Sequence, residues 1–524
     1  MRKHSLTYPL NKHVLQLPKV PLLSRLNFQS SSARVIANLF SRAVVALAGI
    51  VFVPIYIRLI GVESYGLVAF YGTLSGALIV LDLGLSTAIS RQVAILNAQP
   101  DKKHDLRNLV FSVEIIYWAI ALVVGLVVFF LANPIAVYWV KAKDLPVPVI
   151  EKAVRIMGLV FALQFPASIY NGVMIGLEKQ IPNALATALS ALVKAFGAVT
   201  VLLLIRPTIE WYFIWQAISV GLFTLFLRYL TKRYTASDQK AVFSKTQLQT
   251  VRNFAAGMMG ISLITFFLGQ ADKIVVSKLV LLEFVGYYNL AFMLASMLTQ
   301  IISPLQSVVF PRFATLVATN QQEALIRLYH KSCRWVAIVI FPVGFTLVFF
   351  AKEILFFWTK NPTLVEHTAP ILQTFTVGTM CNCIMWMPYF FMLAKGNTRF
   401  TIYQNIIASV ILVPLLFWWT GKYGAFGASL VWLCVNAGYI VFSLPLFHRL
   451  FMKGELFNWL KDDAALPLLS SGILLLGAKL LQTFFLTQSF NIFYFGALLS
   501  LAGVLYLFLI PELRKFCTAL FLKK

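Results

Sequence analysis

The stretch RLIGVESYG, residues 58–66, decides the fold, because a related stretch, KLVLLEFVG, follows at 278–286. The two stretches align at a constant offset of 220 residues. This offset preserves charged and glycine positions, which apolar composition alone does not explain. The coinciding positions are Arg58 with Lys278, Glu63 with Glu283 and Gly66 with Gly286.

A second pair of segments keeps nearly the same offset. GLVVFFLANPIAVYW at 125–139 aligns with GFTLVFFAKEILFFW at 344–358 at an offset of 219, and Arg91 coincides with Arg312 at 221. An offset that holds across three predicted helices indicates an internal repeat. Six predicted spans precede the second copy, so both copies have the same orientation and predict two parallel lobes around a central path.

The composition predicts an all-α integral membrane protein. The chain is 60% hydrophobic and 12% charged, whereas soluble domains carry about 25% charged residues. Apolar runs of about 20 residues, the length that spans a bilayer as a helix, recur from end to end. Fourteen spans are predicted, at 37–59, 65–87, 109–132, 153–175, 183–205, 210–231, 256–279, 285–309, 328–350, 369–393, 400–420, 424–447, 465–484 and 489–510.

The net charge of +25 reflects membrane topology. Lys and Arg lie mostly in connections on the side shared by both termini, which the positive-inside rule assigns to the cytoplasm. These connections are too short for a nucleic-acid-binding module, so nucleic acid is excluded as a partner. The predicted organisation is a basic tail (1–34), an N-lobe (35–232), a C-lobe (250–448), two further helices (465–510) and a second tail (511–524).

No catalytic or metal-binding motif is present in the sequence. G-x-x-x-x-G-K-[ST] and H-E-x-x-H are both absent, and the five cysteines are interpreted as buried thiols. Asp462 and Asp463 are interpreted as a solvated pair. These observations favour a transporter over an enzyme.

Charges inside the predicted spans are the most informative residues. Each costs about 2.5–3.5 kcal/mol at a helix centre, so such groups normally face a bundle interior or a wet cavity. Lys194 lies ~16 Å inside its span. Cavity candidates are Arg42, Lys194, Asp82, Glu114, Asp272 and Lys273, and gate or rim candidates are Arg58, Arg91, Lys278 and Arg312.

Alternatives remain open for most of these charges. Arg42 lies near a helix end, where its side chain either snorkels to the interface or lines the path. Asp82 and Glu114 serve as proton carriers, as partners for basic groups or in structural ion pairs. Asp272 is expected to balance its neighbour Lys273. Proline residues that predict kinks are Pro166, Pro304, Pro342 and Pro388.

Three segments resemble a known family. IVLDLGLSTAISRQVA (79–94), PIYIRLIGVESYGLVAF (54–70) and the D-K-I-x-x-x-K-L…G-Y-Y-x-L-A pattern of 272–316 are similar to the polysaccharide transporter family, which includes O-antigen flippases of the MOP superfamily. The resemblance implies a two-lobed MATE-like fold of twelve helices plus two. It also implies transfer of an undecaprenyl-diphosphate-linked oligosaccharide across the bacterial inner membrane by alternating access.

Two other functions are weighed against this interpretation. A drug–cation antiporter of the same fold would favour buried carboxylates, yet the first helix carries Arg42. A membrane O-antigen polymerase or ligase needs a large outer loop, and the longest predicted one, near 133–152, is short. Expected partners are lipid-linked oligosaccharide and membrane lipids, with a polysaccharide polymerase and a chain-length regulator as candidates. No cofactor is expected, and coupling to a proton or sodium gradient is left open.

Overall fold

The computed structural model describes residues 31–82, 84–237, 239–485, 492–510 and 513, and within these ranges the chain is helical without β-strands. Most of both predicted tails lies outside the described residues. The first half contains α1 Ser31–Ile60, α2 Val62–Asp82, α3 Leu85–Asn97, α4 Lys103–Phe130, α5 Ala132–Pro134, α6 Val147–Gln164, α7 Ala167–Gly176, α8 Gln180–Leu204 and α9 Ile209–Tyr234. The second half contains α10 Lys245–Leu279, α11 Leu282–Ala318, α12 Gln322–Phe349, α13 Ala351–Thr359, α14 Pro362–Ile384, α15 Trp386–Ala394, α16 Thr398–Gly438, α17 Leu444–Phe451, α18 Glu455–Asn458, α19 Leu466–Phe485 and α20 Ile492–Leu509. A 3-10 turn covers Pro100–Lys102, and π-helical segments cover Ile135–Trp139, Tyr439–Ser443 and Trp459–Ala465.

Each of the fourteen predicted intervals overlaps one of these helices. The interval 400–420 falls within α16, and the interval 424–447 begins in α16 and ends in α17. α16 bends at Gly424, where φ is 62° and favours a residue without a Cβ atom. Among the described residues, ten segments are long and apolar enough to cross a membrane. The fold class is therefore confirmed, whereas the number of fourteen crossings stays a prediction.

Most helices begin a few residues earlier than predicted, and α10 differs most. α10 starts at Lys245 instead of 256, because the Ser244 hydroxyl accepts a hydrogen bond from the Gln247 amide and caps a polar first turn. α1 starts at Ser31, inside the predicted tail. The added residues, 245–255, make about three turns and include polar residues, which hydropathy alone does not assign to a span.

Several predicted spans are broken inside the membrane region. α2 ends at Asp82 and α3 begins at Leu85, after Gly84 in the left-handed region (φ 70°). α6 gives way to α7 at Phe165–Pro166, and α14 to α15 at Met385, three residues before Pro388. By contrast, Pro304 and Pro342 lie within continuous helices.

The helices pack into two groups, to which the names N-lobe and C-lobe are applied as predicted. In the N-lobe, α1 packs against α8, α4 against α6, and α6 against α9. In the C-lobe, α14 packs against both α11 and α16, and α12 packs against α19. α19 is also tied to the C-lobe by an ion pair between Lys479 and Glu353.

The lobes meet where the repeated glycines cross. α2 packs against α11, and a Cβ added at Gly66 would lie 2.1 Å from the Leu282 carbonyl oxygen. A Cβ added at Gly286 would lie 3.5 Å from the Gly66 amide nitrogen. The Asn289 amide also donates to the Tyr65 hydroxyl at 3.3 Å. The aligned glycines thus face each other, as expected for residues related by a pseudo-twofold axis.

Two tryptophans related by the repeat reach across this interface in opposite directions. The Trp139 indole N–H donates to the Ser277 hydroxyl at 3.2 Å, and the Trp358 indole N–H donates to the Ile50 carbonyl at 2.8 Å. Ser277 lies on the first helix of the C-lobe, and Ile50 lies on the first helix of the N-lobe. Each lobe therefore donates a tryptophan hydrogen bond to the first helix of the other lobe.

A strap, residues 138–145, completes this contact on the predicted outer side. The Glu63 carboxylate accepts hydrogen bonds from the amides of Asp144 and Leu145, both at 3.0 Å, and from that of Lys143. On the C-lobe side, the Leu282 amide donates to the Lys141 carbonyl at 2.7 Å. We call the glycine crossing, the two tryptophans and the strap the outer clasp, and it closes the predicted outer end.

Candidate functional site

Asp82 lies at the break between α2 and α3, and three hydroxyl groups surround its carboxylate. The Tyr117 hydroxyl donates at 2.6 Å, Ser86 at 2.7 Å and Ser168 at 3.1 Å. The same carboxylate also faces the Ser86 amide of the first turn of α3, at 3.4 Å. Asp82 therefore stabilises a discontinuous helix inside the N-lobe, where its charge is satisfied by neutral donors.

Glu114 forms an ion pair inside the N-lobe. Its side chain is 5% exposed and contacts the Arg228 guanidinium on α9. The Tyr170 hydroxyl donates to the same carboxylate at 2.9 Å and accepts from the Trp118 indole at 3.0 Å. Of the roles that the sequence left open for Glu114, the geometry matches that of a partner for a basic group.

Lys194 is a partly buried cation on α8. Its ammonium lies 5.9 Å from the centroid of the Phe223 ring, and no carboxylate of the described residues lies within ion-pair distance. Arg42 on α1 is exposed and likewise has no carboxylate partner within the described ranges. Both are the type of group that an anionic ligand would neutralise.

Arg42 and Lys194 lie at different depths. α1 and α8 run side by side, with the Asn38 amide donating to Gln180 and the Phe52 ring against Phe196. By this register Lys194 lies about ten residues, or ~15 Å, further along the helix pair than Arg42. Helical side chains lean towards the N-terminus, so the Arg42 and Lys194 side chains lean in the same direction and their separation is kept. One diphosphate is too short to join them in this conformation.

Asp272 and Lys273 do not form the ion pair expected between them. The Asp272 carboxylate accepts from the Tyr288 hydroxyl at 2.7 Å. The Lys273 ammonium donates to the Gly269 carbonyl at 3.2 Å and lies 3.9 Å from the centroid of the Phe292 ring. Adjacent residues on a helix point about 100° apart, which separates the two charges.

Asp272 lines a cavity of 470 Å³ in the C-lobe, whose largely apolar wall also contains several polar side chains. Asn405 and Asn436 are among them, and the Asn382 amide donates to Asn436 at 2.8 Å. Sequence reasoning missed these three asparagines, although Asn382 and Asn436 each stand alone in an apolar run, which was a usable signal. Among the lining residues Asp272 is the only formally charged one.

The rim candidates are not brought together into one site. Lys278 belongs to the outer clasp, where its ammonium donates to the Tyr138 carbonyl of the strap. Arg58 lies at the end of α1 near the same side and is exposed. Arg91 on α3 and Arg312 on α11 are also exposed, towards the predicted cytoplasmic side.

Asp463 is not the solvated residue that the sequence suggested. Its side chain is 1% exposed, and its carboxylate lies 2.5 Å from His330 Nδ1 and 3.3 Å from the Arg334 guanidinium. Its burial follows from the π-helical turn Trp459–Ala465, which faces α12. No group of three metal-ligating side chains lies together in the part of the chain that the structure describes.

Comparison with known proteins places this geometry in context. A family described as polysaccharide biosynthesis protein matches residues 32–317. A protein of Shigella flexneri whose name assigns it O-antigen transport is 21% identical over 400 residues, covering 75% of this chain and 92% of that protein.

Solved structures show the same fold at low sequence identity. The lipid II flippase MurJ, in an inward closed conformation, has a TM-score of 0.69 and 16% identity over 91% of this chain and 98% of its own. An inward-facing multidrug resistance MATE transporter has a TM-score of 0.59 and 14% identity over 84% and 99%. The chain therefore shares its fold with these two transporters.

Proposed function

The chain belongs to the polysaccharide biosynthesis protein family, and from this premise we propose that it is a flippase for a lipid-linked oligosaccharide. The substrate would be an undecaprenyl-diphosphate-linked repeat unit of an O-antigen, capsule or exopolysaccharide, moved across the bacterial inner membrane. Membrane lipids and, as further partners, a polysaccharide polymerase and a chain-length regulator belong to the same proposal.

The proposal rests on which charged side chains of the N-lobe have a partner within the protein. Both acidic candidates are satisfied within the protein, Asp82 by hydroxyls and Glu114 by Arg228. The cations Lys194 and Arg42 have no carboxylate partner among the described residues. An N-lobe with satisfied acids and unpaired cations suits an anionic diphosphate better than a cationic drug.

Because Arg42 and Lys194 are far apart, the diphosphate would contact them one after the other. Arg42 lies nearer the predicted cytoplasmic end and would meet the diphosphate first, and Lys194 would meet it deeper in the path. Arg42 and Lys194 are therefore proposed as two successive anion contacts, not as one joint anion site. The relatives are transporters, so a polymerase or ligase is not favoured.

Asp272 is the proposed coupling group for a proton or sodium gradient. Its carboxylate lines the C-lobe cavity with amide oxygens nearby, and its hydrogen-bond donor is the neutral hydroxyl of Tyr288. A carboxylate surrounded by neutral oxygen ligands binds either a proton or a hard cation.

Complementation of a flippase-deficient strain tests the function. Wild-type protein should restore surface polysaccharide, Lys194→Ala should remove most of it, and Lys194→Arg should retain part. Lys232→Ala, at an exposed position of the same lobe, is the matched control and should behave as wild type. Failure of the wild type across strains with different repeat units, together with efflux of a cationic dye, would replace the flippase by an antiporter.

A further inference from the structure

The first helix of the C-lobe, α10, is held by the N-lobe at both of its ends. At its start, the Ser244 amide donates to the Ser112 hydroxyl of α4 at 2.8 Å. At its far end, the Ser277 hydroxyl accepts from the Trp139 indole in the outer clasp. Between these ends α10 packs along α2, α3 and α4 of the N-lobe. α10 is therefore attached to the neighbouring lobe along its length, although it belongs to the C-lobe in sequence.

The related first helix of the N-lobe is held differently. α1 packs mainly against α8 of its own lobe, whereas α10 contacts the N-lobe more extensively than it contacts α16 of its own lobe. The crossing of α10 with α2 is close, because a Cβ added at Gly76 would lie 2.8 Å from the Gln270 side chain. The symmetry of the repeat is therefore broken at α10.

One face of α4 binds the connection between α9 and α10. The Arg107 guanidinium donates to the carbonyls of Ser237 and Gln239, the latter at 3.0 Å. The Asn108 side-chain oxygen accepts from the Val242 amide at 2.8 Å. We call the contacts of three α4 side chains with this connection the inner pin, and these side chains are Arg107, Asn108 and Ser112.

The inner pin holds the connection through its main chain. Asn108 and Ser112 lie one turn apart on α4 and are 8% and 0% exposed. The Ser112 hydroxyl donates to the Asn108 carbonyl at 2.7 Å, which leaves its lone pairs free to accept from the Ser244 amide. Main-chain groups outside a helix need such partners when they are buried. The strength of the pin therefore depends on the side chains of α4 and not on those of the connection.

Opening of the outer end would affect the two ends of α10 unequally. The outer clasp consists of contacts between the lobes, so it must break when the lobes separate there. The hydrogen bonds of the inner pin lie between α4 and the connection, so the pin can stay closed. α10 is continuous over 35 residues without an internal proline, and it can tilt as one lever. Asp272 lies about 42 Å along this lever from Ser244, so a tilt of about 10° displaces it by about 7 Å.

We propose that the inner pin stays closed throughout transport and is the pivot on which α10 swings when the outer clasp opens. Arg107, Asn108 and Ser112 are then positioning residues, which set the place of Asp272 without contacting the substrate. The inference rests on the proposed function in one respect, namely that the two ends of the protein open in turn.

Two disulfides test the pivot. For Ser112→Cys with Ser244→Cys, the native hydrogen bond limits the separation of the Cα atoms to about 6.7 Å, within reach of a disulfide. Lys141→Cys with Leu282→Cys is the matched pair in the outer clasp, because its hydrogen bond of 2.7 Å sets the same limit. Both pairs are placed in a full-length variant without native cysteines and oxidised with copper phenanthroline.

The assay uses inside-out membrane vesicles of a flippase-deficient strain. The lipid-linked repeat unit that accumulates in this strain becomes protected from external periodate when it is moved into the vesicle. Oxidation of the pin pair should leave the transport rate within about twofold of the reduced protein, and oxidation of the clasp pair should lower it about tenfold or more. Transport stopped by the pin disulfide, or unaffected by the clasp disulfide, would overturn the proposal.

Substitutions of Asn108 test the positioning role. Asn108→Leu removes the acceptor for the Val242 amide and should lower transport about fivefold, whereas Asn108→Asp keeps an acceptor and should retain most of it. When Asn108→Leu is combined with the oxidised pin pair, transport should recover, because the disulfide then holds the connection. Lys103→Ala, at an exposed position one turn before Arg107, is the control and should match wild type. Normal transport in Asn108→Leu, or a loss that the disulfide does not recover at equal membrane level, contradicts the positioning role.

The pivot and the proposed function fail in different ways. A cysteine-free protein that moves no repeat unit defeats the proposed function. The pin is then still tested in purified protein, where its cysteine pair should oxidise completely with or without added lipid-linked repeat unit, and a pin pair that oxidises less completely than the clasp pair defeats the pivot. A protein that transports but is stopped by the pin disulfide defeats the pivot alone.

Discussion

Asp272 and Lys273 show what a charge pattern in the sequence can and cannot predict about single residues. Two opposite charges side by side in an apolar run predict a pair, but the structure directs Asp272 to Tyr288 and Lys273 to the face of Phe292. Because Asp272 and Lys273 contact different partners, the effects of substituting the two residues should be close to additive.

The first prediction follows from this independence. Asp272→Ala should abolish transport because it removes the proposed coupling carboxylate, and adding Lys273→Ala should not restore it. Surface glycan and membrane protein level in a complemented strain are the measurements. Recovery in the double variant would show that the two charges balance each other in the membrane after all.

The second prediction concerns the ion pair of Glu114 and Arg228. Arg228→Met leaves a carboxylate buried without its cation and should destabilise the protein by about 1–3 kcal/mol. Glu114→Gln together with Arg228→Met should recover much of this loss, because a neutral amide needs no cation. The measurement is the apparent Tm in detergent.

An exposed pair supplies the control for this experiment. Arg327 and Glu323 are 71% and 89% exposed, so Arg327→Met should change stability by only about 0–1 kcal/mol. Equal shifts for Arg228→Met and Arg327→Met would contradict a structural role for Glu114.

The residue-scale predictions from sequence found charges but not their partners. The cost of a charge in lipid singled out Glu114 and Lys194 as charges inside predicted spans. The Arg228 partner lies 114 residues away in sequence, near the end of the predicted span 210–231. Hydropathy contains no information on which faces of distant helices meet.

At the element scale, the outer clasp depends on one close helix crossing. A Cβ at Gly66 would lie 2.1 Å from a backbone oxygen, whereas a Cβ at Gly286 has ordinary contact at 3.5 Å. The two glycines align in the repeat but differ in the space around them.

The third prediction uses this difference. Gly66→Ala should force α2 and α11 apart and weaken closure of the outer end, while Gly286→Ala should be tolerated. Labelling of a cysteine placed at Tyr65 by an impermeant maleimide should rise with Gly66→Ala and stay low with Gly286→Ala. The same labelling in both variants would show that this crossing does not control closure.

Helix breaks were partly predictable. Pro166 and Pro388 lie at or near observed breaks, as expected from the missing N–H and the steric clash of proline. The break at Asp82 was missed because 65–87 is apolar enough to be one span. An Asp-Leu-Gly sequence inside such a run was the available signal, since the Asp82 carboxylate accepts hydrogen bonds from Ser86 in the first turn of the next helix and Gly84 takes a positive φ.

For the molecule as a whole, most of what the sequence predicted about the architecture came from the internal repeat. A constant offset implied two lobes of the same orientation, and the structure places the aligned Gly66 and Gly286 face to face. The sequence did not indicate which end of the lobes is closed. Closure depends on contacts such as Trp358 to the Ile50 carbonyl, 308 residues apart, which no local pattern specifies.

The last prediction concerns orientation, on which the meaning of the outer clasp depends. Basic residues between α9 and α10 predict a cytoplasmic location for that connection, and an odd number of predicted crossings separates it from the exposed start of α14. In a variant without native cysteines, Lys240→Cys should be protected from an impermeant maleimide in intact cells, and Thr363→Cys should react. Permeabilisation should make Lys240→Cys reactive, which controls for burial. The opposite pattern would put the clasp on the cytoplasmic side, and a substrate entering from the cytoplasm would then meet the closed end of the protein.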